Sequence, residues 1–138
     1  MKILLFILLT LHTLYANIPT YHYPRSSNTY DINSIDHLIL GAKKGDPIMQ
    51  YRLASRYRDG EGVVLDFKKA FNLFHRSALK KFAPAQYQLG MMFRHGVGVK
   101  TNHELARYWL RKSAQNAYPK AKNIFYHFYS QKERSPQY

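Results

Sequence analysis

Gln86-Tyr87-Gln88-Leu89-Gly90-Met91-Met92-Phe93-Arg94-His95-Gly96-Val97-Gly98-Val99 is the stretch on which the fold turns. Half of its residues recur 36 positions upstream, in Gln50-Tyr51-Arg52-Leu53-Ala54-Ser55-Arg56-Tyr57-Arg58-Asp59-Gly60-Glu61-Gly62-Val63. Continuing the same offset pairs Ala70 with Ala106 and Ser77-Ala78 with Ser113-Ala114, ten identities over 36 gap-free positions. Conservative matches lie between them: Tyr57 with Phe93, Asp66 with Asn102, Phe74 with Leu110. Self-similarity at such a period marks a stack of small supersecondary units, none of which can bury its apolar face alone.

Working outward, each copy reads as two helices. Tyr51, Leu53, Ala54 and Tyr57, with their partners, recur at helical spacing, which predicts first helices over 47–58 and 84–94. Gly60 and Gly96 stand where a helix stops, because a left-handed residue just past the end is cheapest without a Cβ. Gly62 and Gly98 allow a second bend, and Val63 and Val99 are expected to turn back into the core. Asp66 and Asn102 are suited to cap the free N–H groups of second helices running to about Lys80 and Asn116. The pattern extends both ways: Leu38 and Ala42 sit one period before Phe74 and Ala78, and Pro119, Ala121 and Phe125 one period after Ala83, Ala85 and Leu89. The chain therefore reads as half a repeat, two whole repeats and another half. That is an all-α fold of about six helices, with no convincing strand.

Ala85, Leu89, Gly90, Phe93, Gly96-Val97-Gly98-Val99, Asn102, Ala106, Trp109 or Leu110, and Ser113-Ala114 together resemble the Sel-1-like repeat, a relative of the tetratricopeptide repeat. The resemblance covers roughly residues 35–130, and Ala54 departs from it where the family usually has Gly. It implies a right-handed α-α superhelix with a concave face. It also implies an adaptor that binds other proteins or peptides and is not an enzyme. A cysteine-rich branch of the family is disfavoured, since the chain has no Cys.

The flanks read differently. Met1-Lys2 followed by the apolar run from Ile3 to Leu11 and by Leu14-Tyr15-Ala16 has the form of a secretory signal over residues 1–16. The apolar stretch is shorter than the ~20 residues of a transmembrane span. Export to a periplasm or the exterior is the expectation; Leu14, large for its position, leaves an uncleaved signal anchor as the alternative. Residues 17–33, with two prolines and many turn formers, are expected to be a linker or extended arm. Residues 34–130 form the repeat domain, with full repeats at 47–82 and 83–118, and 131–138 a polar tail.

Charge carries most of the functional information. The chain has 21 Lys+Arg against 8 Asp+Glu, a formal net charge of +13. Arg52, Arg56, Arg94, Lys68 and Arg107 are the candidates for a partner-binding surface. Lys80, Lys81, Arg111 and Lys112, on second helices, are placed to align into a basic stripe when the repeats stack. The expected partner is an acidic protein or peptide, or an anionic envelope surface. Nucleic acid is disfavoured for an exported chain, and an envelope hydrolase or anionic-lipid binder is the competing class. Tyr87, Phe93, Tyr108 and Trp109 fall mostly on the core pattern. No catalytic, cofactor or metal site is legible, and no small-molecule substrate is expected. The histidines lack ligand spacing, and Asp59, Glu61 and Asp66 do not make a facing carboxylate pair. Gly60-Glu61-Gly62 and Gly96-Val97-Gly98 are explained by helix termination without invoking phosphate. Ser77 and Ser113 are read as small packing residues, and Ile124, Phe125, Phe128 and Tyr129 as an apolar stripe that caps the stack, with self-association or partner docking as its alternatives.

Overall fold

Gly60 and Gly96 adopt φ of 70° and 69°, the left-handed conformation that ends a helix, and each donates its N–H to a carbonyl of the helix it closes. They sit in a computed structural model that describes residues 34–129. Six helices follow one another: α1 (Ile35–Lys43), α2 (Pro47–Asp59), α3 (Phe67–Leu79), α4 (Ala83–His95), α5 (His103–Gln115) and α6 (Pro119–Phe128). There is no strand among the described residues. The expected signal segment, the arm at 17–33 and the tail at 131–138 lie outside them.

Four helix starts carry a side-chain cap, Ser34 on α1 among them, while α4 and α6 begin with Pro in the first turn and no such cap. Asp46 accepts from the N–H groups of Ile48 and Met49, Asp66 from Lys69 and Asn102 from Leu105. Each helix packs against the one before and the one after it, so the chain stacks as hairpins. The central core joins Ala54, Ala70, Phe74, Ala85, Leu89, Phe93, Ala106 and Trp109 from α2 to α5. Leu38, Ala42 and Leu53 close one end, and Leu110, Ala114, Ala121 and Phe125 the other. Helix α6 thus covers the open side of α5, with Phe125 9% exposed; the side chain of Phe128 lies outside the description.

Two polar devices repeat with the period. Ser77 Oγ donates to the Pro47 carbonyl at 2.6 Å and Ser113 Oγ to the Ala83 carbonyl at 2.7 Å, tying the end of each second helix to the start of its own first helix. Gln50 Nε2 donates to the Ala42 carbonyl and Gln86 Nε2 to the Ala78 carbonyl, both at 3.2 Å, tying each first helix to the second helix before it. The glutamine bonds reach carbonyls at helix C-terminal ends, where the in-helix donors run out, and the serine bonds use the second lone pair of carbonyls in the first turn.

The expectation for the valines holds in one copy only. Val99, with Val97, packs against the central core, whereas Val63 is half-buried outside it and Val64 is 87% exposed. The cause is what precedes each loop. A Cβ on Gly98 would stand 2.3 Å from the Phe67 carbonyl oxygen, so that loop presses onto the start of α3. Gly62 meets only the tip of Ile35, at 3.4 Å, because one lone helix precedes it.

Candidate interaction surface

The second helices α1, α3 and α5 hold equivalent places in successive hairpins and point the same way. Their first turns or caps carry Asp36, Asp66 and Glu104, and their last turns Lys43, Arg76 and Lys112, as the helix dipole favours. Stacking therefore gathers cations along one edge. Arg76 and Lys112 are exposed and sit at the same point of the repeat. Lys80 adds a link along this edge, its Nζ donating to the Gly45 carbonyl. The corresponding residue one repeat on, Asn116, donates to the Lys81 carbonyl at 3.4 Å and to Gln86 Oε1 at 2.8 Å.

The acids are already committed. Asp46 and Asp66 cap helices, and Asp36 and Glu104 occupy first turns. Asp59 pairs with Arg58 and Glu61 with Arg56, each at 2.7 Å. The Arg58 hydrogen bond holds the Asp59 carboxyl below the usual carboxylate range and raises the Arg58 guanidinium. The Lys69 backbone N–H does the same to Asp66. Burial pushes the Tyr118 hydroxyl up.

Of the sequence candidates, Lys68 is exposed and Arg52 half-buried, and neither is ion-paired among the described residues. Arg56 is engaged by Glu61. Arg94 and Arg107 are half-buried and hold contacts within the fold. The five are split between first helices (Arg52, Arg56, Arg94) and second helices (Lys68, Arg107). They do not converge on either of two grooves among the described residues.

Those grooves run between consecutive second helices. One, of about 300 Å³ between α1 and α3, is floored by Leu53, Tyr57 and Leu73 and edged by Lys43, Lys69 and Arg76. The other, of about 360 Å³ between α3 and α5, is lined by Leu79, Tyr108 and Trp109 with Lys81, Lys112 and Asn116. They correspond under the 36-residue shift: Ala42 with Ala78, Asn72 with Tyr108, Leu73 with Trp109, Arg76 with Lys112. Lys112 Nζ lies 5.7 Å from the Tyr108 ring centre and Lys69 Nζ 5.2 Å from that of Tyr57. Of the aromatics read as core, Phe93 and Trp109 are buried, while Tyr108 is 43% exposed at the groove rim. Among the described residues no group of three His, Cys, Asp or Glu stands ready for a metal, and no helix is long and apolar enough to cross a membrane. Sequence reading named Lys81 and Lys112 as charges but not the grooves; the equivalence of Arg76 and Lys112 was the available signal.

The model of the Sel1 repeat matches residues 47–82 and 83–118. Among solved structures, the chain is similar to a Sel1 repeat protein from Oxalobacter formigenes, with 34% identity and a TM-score of 0.67, covering 68% of this chain and 71% of that one. It is also similar to a protective antigen of uropathogenic Escherichia coli with the same fold, at 30% identity and a TM-score of 0.64, covering 66% of this chain and 20% of that one. Chitin synthase regulatory factor 3 of Schizosaccharomyces pombe is 28% identical over 88 residues, which are 63% of this chain and 9% of that protein. The chain thus spans less than a tenth of that curated relative. With two matched copies, stacked α-hairpins and Sel1-repeat neighbours, the chain belongs to the Sel1 repeat family, an all-α superhelical fold that generally mediates protein–protein interaction and is generally non-enzymatic.

Proposed function

We propose that the chain is an exported adaptor that holds an acidic partner protein or peptide on a basic, concave solenoid surface. The observation that supports this most is the disposition of charge: each acid among the described residues sits in a cap, a first turn or an ion pair, while Arg52, Lys68, Arg76 and Lys112 are left to meet solvent or a partner. Such a field steers an acidic partner and rejects a basic one. Arg94 and Arg107 extend the surface, and Arg56 does so in exchange for Glu61. Export rests on Met1-Lys2, the apolar run to Leu11 and the small residue Ala16.

Affinity capture with the full chain from extracts of its own envelope, at low and high ionic strength, tests the reading. Anionic vesicles and duplex DNA serve as competitors. A polypeptide partner should be retained, weakened by salt and indifferent to both competitors. Displacement by vesicles or DNA would transfer the role to lipid or nucleic acid, and salt-insensitive capture would refute the charge argument. Intact mass of the native protein reads cleavage after Ala16 directly; persistence of residues 1–16 contradicts soluble export.

A further inference from the structure

We infer that the two grooves between consecutive second helices form a tandem site for one acidic peptide segment bearing apolar side chains. The inference rests on the acidic-partner reading above and narrows the contact from cations spread over first and second helices to two depressions between second helices.

Three observations carry it. The grooves are the same feature twice: Leu73 and Trp109 supply the apolar wall, and Arg76 and Lys112 the cation, at matching positions. An extended segment crossing both would meet the same pairing of apolar wall and charge in succession, as a repeat scaffold provides. Neither groove is lined by a carboxylate, whereas five Lys or Arg side chains line the two together: Lys43, Lys69, Arg76, Lys81 and Lys112. The second groove also leaves apolar groups in water, with Leu79 62% and Tyr108 43% exposed. Lys69 pairs with Asp66 at 3.5 Å, while Lys43, Arg76, Lys81 and Lys112 have no carboxylate partner among the described residues; apolar walls beside those four cations fit a ligand that is apolar and anionic at once. The volumes, about 300 and 360 Å³, fit side chains rather than a folded domain. Glu or Asp would reach Arg76 and Lys112, and Leu or Phe would lie against Leu73 and Trp109.

The chain has one Trp, and it stands in the second groove, so its emission reports occupancy. The probe is the blocked octapeptide Glu-Phe-Glu-Glu-Leu-Glu-Phe-Glu, with a Gln-for-Glu version as control, titrated into the full chain at low salt. Saturable change in Trp109 emission with the acidic peptide and not with the Gln version is expected. The double variant Arg76→Glu, Lys112→Glu should bind on the order of tenfold more weakly. A charge-matched double variant at exposed loop and end positions, Lys100→Glu, Lys120→Glu, should bind close to normally. Far-UV circular dichroism checks that all variants fold. If Arg52→Glu, Lys68→Glu abolishes binding while the groove variant does not, the groove assignment is overturned and the basic-surface reading stands. If the full chain binds no acidic peptide, both fall. Equal binding of the Gln version, or an emission change with protein concentration alone, would assign the grooves to a neutral ligand or a second copy and overturn the inference.

Discussion

Ser113 Oγ donates a 2.7 Å hydrogen bond to the carbonyl of Ala83, thirty residues earlier and the first residue of α4. The bond joins the two open ends of a hairpin whose closed end is the Gly96–Gly98 turn, and Ser77 does the same to Pro47. Ser113 is fully buried, so its hydroxyl has no water to fall back on. Ser113→Ala should cost about 0.5–1.5 kcal/mol, since the acceptor can keep its place in the helix ladder. Urea denaturation reads this as a lower midpoint at unchanged slope.

The repeats differ at one buried polar contact, and the difference is correctable. Gln86 Oε1 accepts from Asn116, but Gln50 Oε1, equally buried, has no donor among the described residues, because Lys80 stands at the Asn116 position and reaches the Gly45 carbonyl instead. Lys80→Asn should restore the donor and raise stability by up to about 1 kcal/mol. The mirror substitution Asn116→Lys should lower it. Thermal melts of the two variants check the opposite signs.

Each second helix ends in a left-handed residue: Gly45 at φ 87°, Lys81 at 63° and Ala117 at 61°. The backbone cost of that conformation is borne by Lys81 and Ala117 and not by Gly45. Both are exposed, so no packing opposes replacement. Lys81→Gly and Ala117→Gly should each stabilise the fold by about 0.5–1 kcal/mol, seen as a rise in Tm.

Gly62 and Gly98 share a left-handed backbone but not surroundings. Gly62→Ala should cost about 1–2 kcal/mol, the conformational strain alone. Gly98→Ala adds a collision with the Phe67 backbone and should cost about 3 kcal/mol or more. Chemical denaturation of the two variants side by side measures the gap.

Acid should unfold the chain through its caps and pairs. Asp59 and Asp66 titrate below the ordinary carboxylate range when folded, so the unfolded chain binds more protons in mild acid. Their contribution is present above about pH 4 and lost as pH falls through the folded values. Asp66→Asn copies the Asn102 cap and removes one titrating group; it should keep the helix start and flatten the acid limb of a stability–pH curve.

How far the sequence disclosed this structure depended on whether a residue type announces its role. Gly60 and Gly96 did, because glycine is the residue that a left-handed helix end selects. Asp66 and Asn102 did, as short acceptors before an amphipathic run. Lys81 and Ala117 did not: nothing in either side chain signals φ above zero, although the N–H groups of Phe82 and Tyr118 close the helix end onto the Ser77 and Ser113 carbonyls there. Ser77 and Ser113 were legible as small, but their acceptors lie thirty residues earlier, on the paired helix. Of the candidate surface, Arg76 and Lys112 were visible as charges, while the grooves beside them exist only once second helices lie side by side. Arg56 reads as a free cation in the sequence because its partner Glu61 lies beyond Gly60, off the i,i+4 spacing of a helix.

Backbone NMR of the full chain tests the repeat equivalence beneath all of this. Carbon chemical shifts should show helix across α1 to α6, with left-handed values at Gly45, Lys81 and Ala117 and matched values at Gly60 and Gly96. Extended shifts within either 36-residue copy, or unlike conformations at Gly60 and Gly96, would contradict it.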